Sequence, residues 1–172
     1  EEIVSSIIDL CKNRLPNAYN YNPLTDIQVL SPMRRSAAGV NLLNERLQRV
    51  LNPESPEKQE LLQGHTSLRK GDKVMQIKNN YNIEWENINN HTKGYGVFNG
   101  DIGLITEIDV KNNRIKVLFD EERLAEYTDE NLNELELAYA MTIHKSQGSE
   151  FEAVIIPMFP SAPMLQNRNL LY

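Results

Sequence analysis

The sequence predicts an α/β domain that is interrupted by a smaller, all-β insertion. Three runs, IQVLS at 27–31, LELAYAMTI at 135–143 and AVIIP at 153–157, are almost continuously apolar, as in strands that are covered on both faces of a sheet. From residue 68 onward, short segments of alternating apolar and polar residues end at Gly, Asn or Asp, which is typical of antiparallel hairpins. Together these patterns indicate one α/β unit with a β unit inserted into it.

The elements that precede the insertion follow from residue spacing and helix breakers. Apolar side chains recur at helical spacing over residues 1–15, and Pro16 is predicted to end that helix. A buried strand is predicted at 27–31. Helical spacing resumes over residues 40–51, and the second helix is predicted to end before Pro53.

The predicted boundaries place residues 67–134 in the insertion, with 1–66 and 135–172 forming the α/β unit. Within the insertion, Asn112-Asn113 is a predicted hairpin tip. The Asn-rich stretch 79–90 is predicted to be a long exposed loop.

Composition limits the class of protein. The chain has 172 residues, of which 40% are hydrophobic, so a packed core is available and wholesale disorder is not expected. Cys11 is the single cysteine, which excludes an internal disulfide and suits a reducing cytoplasm. No apolar run approaches the ~20 residues that cross a bilayer, so no membrane partner is predicted. Because the chain does not begin with Met, we expect it to be a piece of a longer protein.

Charge is unevenly distributed along the chain. The net charge is −6, yet residues 28–78 hold nine Lys or Arg against five acids, whereas residues 107–136 hold ten acids against four bases. A polarised protein can present one basic face to a nucleic acid. Chance clustering on a solvated surface explains the same numbers, and charge alone does not decide between the two.

Polar side chains fill the loop at 142–150, between two predicted strands. Strands of a parallel sheet deliver the residues that follow them to the edge where such sheets bind ligands. The residues with suitable groups are Thr142 and His144 for phosphate oxygens, Gln147 and Glu150 for a polar ligand, and Gly148 for close backbone approach. The alternative is an ordinary polar connection that caps a helix near Ser149.

Two arginines, Arg34 and Arg35, follow the strand at 27–31 directly and are predicted to emerge at a sheet edge. A guanidinium group there suits a phosphate of a nucleotide or of DNA. A surface salt bridge is the competing interpretation.

Lysines and aromatic residues occur together early in the insertion. Lys70, Lys73 and Lys78, with Tyr81 and Trp85, either form a basic and aromatic strip for single-stranded DNA or are solvated lysines beside a Trp that covers the core.

Other patterns do not support a site. The segment KGYGVFNGDIG lacks the Gly-Lys-Ser/Thr ending of a phosphate loop and is predicted to supply turn glycines. His65, His91, His144 and Cys11 lack zinc-ligand spacing, so no metal site is predicted. No catalytic triad is recognisable, and the acidic run at 120–136 is predicted to be a solvated face.

Several segments, in order, resemble one family. TIHKSQGSEF resembles motif V of superfamily-1 helicases, and AYAMTIHKSQGSEFEAVIIP resembles that motif in the RecD-like helicases, the family of the exodeoxyribonuclease V alpha subunit. IQVLSPMRRSAAGVNLLNERLQRVLNP is similar to the family's motif IV region. LRKGDKVMQIKNNYN and FNGDIGLI are similar to its inserted Src-homology-3-like barrel, and RNLLY to the lead-in to motif VI.

The resemblance implies a RecA-like second motor domain, of the P-loop-NTPase type, with an inserted small Src-homology-3-like β-barrel. It implies part of an ATP-dependent 5′-to-3′ DNA helicase of repair and recombination, with single-stranded DNA and further exodeoxyribonuclease subunits as partners, in the cytoplasm. ATP and Mg²⁺ would be bound mainly by a first motor domain. The sequence contains neither that domain's phosphate loop nor the motif VI arginine, so the chain alone is predicted to be inactive and to hold no catalytic residue.

The resemblance also implies roles for individual residues. The DNA-binding set is Thr142, His144, Lys145, Ser146 and Arg35, and the nucleotide-binding set is Gln147, Gly148, Glu150 and Arg34. Two alternatives remain at this point: the helicase segment of a conjugative relaxase, and a non-enzymatic adaptor whose barrel binds a protein.

Overall fold

The structure is a computed structural model that describes residues 2–35 and 38–158. The chain divides into two compact units, one formed by residues 1–51 and 139–172 and the other by residues 52–138. The second unit is therefore inserted, in sequence, into the first. Each unit is described separately below.

The helices and strands follow in chain order. The helices are α1 (Glu2–Asp9), α2 (Leu15–Tyr19) and α3 (Val40–Leu51). The strands are β1 (Ile27–Ser31), β2 (Glu60–Gln63), β3 (Thr66–Arg69), β4 (Lys73–Gln76), β5 (Asn80–Asn87), β6 (Lys93–Val97), β7 (Ile102–Asp109), β8 (Arg114–Phe119), β9 (Arg123–Tyr127), β10 (Leu135–Leu137), β11 (Ala140–Thr142) and β12 (Ala153–Ile155).

The first unit is α/β, as predicted. Its sheet has three strands in the order β11-β1-β12, and β1 runs parallel to both neighbours. Every residue of β1 is buried. Helix α3 packs on β11 and α1, with Leu43 and Leu47 almost fully buried in the core. The apolar residues whose helical spacing predicted α3 thus form its buried face.

The first helical segment does not end at Pro16. A π-helical turn at Leu10–Arg14 follows α1, and α2 then continues to Tyr19 with Pro16 in its first turn. Proline lacks an N–H and crowds the carbonyl one turn earlier, which normally breaks a helix. The wider turn, closed by a bond from Leu15 N–H to Leu10 O, precedes the proline, which then occupies a first-turn position that helices tolerate.

The second unit is all-β. Seven strands form an antiparallel sheet in the order β10-β4-β7-β8-β9-β5-β6, and β2 pairs with β3 as a separate hairpin. Alternate residues of β8, namely Ile115, Val117 and Phe119, are completely buried and form part of the core. The predicted tip at Asn112-Asn113 is confirmed, because it joins β7 to β8 and Asn113 has a φ of 49°.

The prediction of a long loop at 79–90 is wrong. Residues 80–87 form β5, which pairs with β6 on one side and β9 on the other. Asparagine side chains act at the ends of this strand, where Asn87 Oδ1 accepts bonds from the backbone N–H groups of Asn89 (2.9 Å) and Asn90 (3.3 Å). Composition suggested a loop, but the aromatic and β-branched residues between the asparagines pair in the sheet.

The apolar run at 135–143 is two strands that belong to different units. β10 pairs with β4 in the all-β sheet, and β11 pairs with β1 in the parallel sheet. The predicted boundaries differ from this division, since in the β2–β3 hairpin Leu61 pairs with Leu68 and Leu62 with Ser67, across the predicted limit at 66/67. The expectation of burial on both faces fails for β12, because Val154 is 45% exposed.

In the part of the chain that the structure describes, no helix has the length and apolar character needed to span a membrane.

Candidate functional site

Parallel pairing brings the two predicted loops to one edge of the α/β sheet. Ser31, the last residue of β1, is in register with Thr142, the last residue of β11. Both strands therefore end together, and Arg34 and Arg35 follow one strand while His144 follows the other. This is the carboxyl edge at which open parallel sheets bind ligands.

The loop after β11 begins with one turn of 3₁₀ helix at Ile143–Ser146. Ser146 Oγ donates to the carbonyl of Ile143 at 2.7 Å, and the N–H of Ser149 donates to the carbonyl of Ser146 at 3.0 Å. No helix begins near Ser149; the chain proceeds to β12. The alternative of a helix-capping connection is therefore wrong.

Most predicted side chains of this loop face solvent. Three residues of the loop are half-buried: Thr142, Lys145 and Ser146. Four are exposed: His144, Gln147, Gly148 and Glu150. Gly148 has a φ of 82°, a conformation that side-chain-bearing residues rarely adopt, and a Cβ placed there would meet no atom within 4 Å. The backbone at Gly148 is thus open to the approach of a ligand.

The loop after β1 is organised by the buried hydroxyl of Ser31. Its Oγ donates to the carbonyl of Ala38 at 2.9 Å, and the carbonyl of Met33 lies 3.2 Å away. The N–H of Asn41, in the first turn of α3, donates to the carbonyl of Arg34 at 3.3 Å. The backbone at Arg34 is thereby fixed, and the side chains of Arg34 and Arg35 are exposed. The loop thus presents two exposed guanidinium groups near the carboxyl edge of the sheet.

Asn44 is a positioning residue that sequence reasoning missed. From α3, its Nδ2 donates to the carbonyl of Ala140 at 2.9 Å and its Oδ1 accepts from the N–H of Ala140 at 2.8 Å. The side chain occupies both polar groups of a backbone position in β11, as a neighbouring strand would. A polar residue on the apolar face of a predicted helix was the signal that could have revealed it.

Gln28, completely buried in β1, supports the same region. Its Nε2 lies 3.1 Å from the carbonyl of Val29 and 3.3 Å from that of Tyr139, the residue before β11. Asn44 and Gln28 together fix the strand that delivers Thr142 and His144. The site is therefore an exposed polar loop on a hydrogen-bonded base.

The structure removes Lys73 from the predicted basic and aromatic strip of the insertion. Lys73 is only 2% exposed, because it lies in β4 between β7 and β10. Trp85 lies against the backbone of Gly94, where an added Cβ would come within 2.3 Å of its ring. Trp85 thus covers the core side of the sheet, as the competing interpretation held. Lys78 and Tyr81 are exposed.

The other sequence patterns are structural. The segment KGYGVFNGDIG forms β6, a turn and the start of β7. The prediction of turn glycines is confirmed for Gly100, which has a φ of 100°, whereas Gly94 and Gly96 lie within β6. Among the described residues, no group of three His, Cys, Asp or Glu is arranged to hold a metal ion. Several acids of the 107–136 region form ion pairs on the sheet surface, including Glu107 with Lys116 and Glu126 with Arg114, each at 2.9 Å.

Comparison with known families identifies both units. The family model described as the ATP-dependent RecD-like DNA helicase SH3 domain matches residues 43–119. The model described as the UvrD-like helicase C-terminal domain matches residues 137–172. The first match covers most of the all-β unit, and the second includes β11, the polar loop and β12.

Two curated relatives cover most of the chain. The ATP-dependent RecD2 DNA helicase of Deinococcus radiodurans is 34% identical over 146 residues, which is 85% of this chain and 18% of that protein. The RecBCD enzyme subunit RecD of Buchnera aphidicola is 32% identical over 149 residues, 84% of this chain and 22% of that protein. The chain thus spans about a fifth of the length of each.

A solved structure shares the fold. The Pif1 helicase from Bacteroides, crystallised in complex with ADP-AlF3 and ssDNA, matches with a TM-score of 0.50 and 21% identity. The match covers 93% of this chain and 39% of that one. This likeness concerns the fold alone.

Proposed function

Since the chain belongs to the RecD-like DNA helicase family, we propose that it is the part of an ATP-dependent DNA helicase that holds single-stranded DNA and completes the nucleotide site. One observation carries the proposal: the Ser31–Thr142 register brings the loops after β1 and β11 to one edge of the sheet. In this proposal the α/β unit is the second RecA-like motor domain.

The DNA-binding side of the edge consists of hydrogen-bond donors. These are Thr142, His144, Lys145, Ser146 and Arg35, and each is exposed or half-buried. The Ser146 hydroxyl, which donates to the carbonyl of Ile143, would exchange that bond for one to a phosphate. Hydroxyl, imidazole, ammonium and guanidinium groups donate to phosphate oxygens without reading the base sequence. Such contacts hold a strand and let it move, as a motor requires.

The nucleotide-binding side consists of Arg34, Gln147, Gly148 and Glu150, all exposed. The open space at Gly148 fits the close approach of a polyphosphate to backbone N–H groups. Arg34 would pair with a phosphate, while Gln147 and Glu150 would orient polar groups near it. ATP with Mg²⁺, when bound, supplies the free energy of phosphoryl transfer, and a first motor domain would hold most of it.

Further parts of the proposal concern the whole protein. Opening and closing of the cleft between two motor domains would shift the grip of the Thr142–His144 loop along the strand in the 5′-to-3′ direction. The seven-stranded sheet would be the family's Src-homology-3-like barrel. The protein would act in the cytoplasm, alone or with other exodeoxyribonuclease subunits.

A phosphate-release assay tests the proposal that this chain needs a first motor domain to hydrolyse ATP. The sequence has no Gly-x-x-x-x-Gly-Lys-Ser/Thr, and an arginine of the motif VI kind is worth roughly a thousandfold or more in rate. We expect the chain alone to release phosphate no faster than buffer, with or without DNA. Turnover at the rate of a complete helicase would contradict the assignment.

DNA binding tests the proposed contact. The double variant Thr142→Ala, His144→Ala should bind labelled single-stranded DNA several-fold more weakly than the unchanged chain, since two side chains that would donate to phosphate oxygens are lost. Fluorescence anisotropy measures the affinity.

A matched control is available on the other unit. Thr66 and His65 are an exposed Thr and an exposed His in the β2–β3 hairpin. Their double alanine variant should bind DNA as the unchanged chain does. Equal binding by all three proteins would remove the α/β edge from the proposed DNA path.

A further inference from the structure

We propose that Tyr81 and Phe98, on the all-β unit, form a stacking surface for unpaired nucleobases. This inference rests on the proposed function, because it adds a second contact with the same strand. It differs in chemistry, since bases would stack on rings here while phosphates would pair with donors at the α/β edge.

The two rings meet on the surface. Tyr81, in β5, is 67% exposed, and Phe98, just after β6, is 40% exposed. Their centroids lie 5.5 Å apart and their planes cross at 71°, so the pair makes an edge contact. Exposed single aromatic residues are common, but an adjoining pair leaves a larger apolar area in water, and such areas mark binding surfaces.

The backbone under Phe98 is held rigidly. Its N–H donates to Asp101 Oδ2 at 3.1 Å, and its carbonyl accepts from the N–H of Asp101 at 2.9 Å. The N–H of Gly100 donates to the carbonyl of Gln76 at 2.9 Å. Gly96 makes room for the ring, because a Cβ there would lie 2.9 Å from Phe98 Cζ. The exposed ring is thus preorganised, which lowers the entropy cost of binding.

The backbone beside Tyr81 is fixed in the same way. The side chain of Asn80 donates from Nδ2 to Glu134 Oε2 at 3.0 Å, while its Oδ1 accepts from the N–H of Asn82 at 3.0 Å. Asn79 Oδ1 accepts from the N–H of Asn99 at 2.9 Å and joins the two ring-bearing segments. Hydrogen bonds that fix the backbone beneath two exposed rings favour a ligand-binding role over chance exposure.

The surroundings favour a nucleic acid over an apolar peptide. The exposed neighbours in sequence are Lys78 and the amides of Asn79, Asn82 and Asn99, which suit phosphates and base edges. The nearby carboxylate of Asp101 already accepts from Phe98 N–H and pairs with Arg123 at 3.3 Å. Base stacking on aromatic rings tolerates any sequence, as a translocating protein needs.

A third exposed aromatic residue of the same hairpin serves as the control. Tyr95, in β6, is 68% exposed but lies directly opposite Glu84. Glu84 pairs with Lys93 at 3.2 Å, next to Glu86 on the same face. These carboxylates would repel a phosphate chain, so Tyr95 is expected to take no part.

The test is anisotropy with a ~12-nucleotide deoxythymidine oligomer, a length within the site sizes of single-strand binding modules. Tyr81→Ala and Phe98→Ala should each weaken binding by the chain about tenfold, whereas Tyr95→Ala should change it less than about twofold. Tyr81→Phe, which keeps the ring, should bind normally. Unchanged Trp85 fluorescence would show that each variant is folded.

An oligomer with abasic residues separates base stacking from phosphate contact. It should bind the unchanged chain as weakly as the complete oligomer binds Tyr81→Ala, and the variant should not discriminate between the two. The salt dependence should be unaltered by Tyr81→Ala, since the lost ring carries no charge.

The outcomes separate the two proposals. Weaker binding on changing Thr142 and His144, without any effect of Tyr81 or Phe98, would overturn this inference and leave the proposed function intact. An effect of the ring variants alone would support this inference and overturn the phosphate contact at the α/β edge. No binding of either oligomer by the unchanged chain would overturn both.

Discussion

In the loop that follows β11, the polar side chains of His144, Gln147 and Glu150 are exposed, whereas Arg69 and Gln76 of the all-β unit are buried and fully engaged. Arg69 donates to Glu60 at 2.5 Å, to the carbonyl of Asn52 at 2.7 Å and to Glu54 at 3.2 Å. The α/β edge leaves most of its polar side chains exposed to solvent. The all-β unit uses them to fix its own fold.

This difference predicts which substitutions should reduce stability and which should reduce ligand binding. A buried polar group that loses its partner costs more than the bond itself contributed, because desolvation is no longer offset. An exposed group returns to water at almost no cost. Stability should therefore depend on the polar residues of the all-β unit, and ligand binding on those of the edge.

The largest effect is expected for Arg69→Met. The side chain of Arg69 is 3% exposed, and its loss would leave the carboxylate of Glu60, 31% exposed, without its ion pair. We expect a loss of about 3 kcal/mol in the free energy of unfolding of the all-β unit. Urea unfolding followed by Trp85 measures it, since the single Trp lies in this unit.

Two observations control that experiment. Arg69→Lys keeps the charge but not the planar fork, so its loss should be intermediate. Burial raises the pKa of Glu60, but hydrogen bonds from Ser67 and Arg69 outweigh it and hold the pKa below the ordinary value of a glutamate. A lowered pKa stabilises the fold above the ordinary pKa of glutamate, and that contribution is lost as pH falls through the lowered value; in Arg69→Met the acid-side loss should be smaller. A variant as stable as the unchanged chain would break the contrast between the units.

Asn44→Ala is expected to have the next largest effect, and in the other unit. It would leave the N–H and the carbonyl of Ala140 without the bonds that Asn44 makes, at about 2–3 kcal/mol in total. Hydrogen exchange at residues 139–146 should accelerate, while the Trp85 transition should not move. Glu45→Ala, on the exposed face of the same helix, should change neither; equal exchange in both variants would contradict a role for the Asn44 bonds.

Tyr127→Phe tests the role of a buried polar residue of the all-β unit through the pH dependence of stability. Burial raises the pKa of Tyr127, with Glu134 and Asp101 adding to the effect, and its hydroxyl donates to Gln76 at 2.8 Å. A raised pKa means that the unfolded chain loses its proton first, so stability should fall as pH rises above about 10. The variant should lose about 1 kcal/mol near neutral pH and show less of the alkaline decline. Identical alkaline profiles in urea titrations would refute the assignment.

The smallest stability effect is expected at the edge. Thr142→Ala with His144→Ala should change the free energy of unfolding by no more than about 0.5 kcal/mol, because neither side chain is buried. Thermal unfolding of the variant that binds DNA weakly checks this. A loss as large as that of Asn44→Ala would mean that these residues support the fold, and the weak binding would then have a structural cause.

Sequence patterns located the α/β elements well because their signals are local. Helical spacing identified α3, and continuous apolar residues identified β1 and β11. The polar loop at 142–150 was predicted to be a ligand site because polar residues at strand ends seldom serve packing. The family was recognised from the same residues and is confirmed by the comparisons. The roles of individual residues stay a prediction.

Errors arose where a distant partner decides the outcome. The stretch 79–90 has the composition of a loop, yet residues 80–87 form a strand because β6 and β9 pair with it on both sides. Lys73 looked solvated in sequence and is buried between two neighbouring strands. Charge and composition cannot report such pairing.

By itself, the sequence determined the helical periodicity of α3, the buried character of β1, the turns at Asn113 and Gly100, and the polar character of the loop after β11, because these depend on residues close together in the chain. Only the tertiary structure decided that residues 135–143 divide between two sheets and that Ser31 lies beside Thr142. It also decided that Asn44 bonds to Ala140, 96 residues away. Such contacts form when distant segments pack together, and no local pattern encodes which segments will meet.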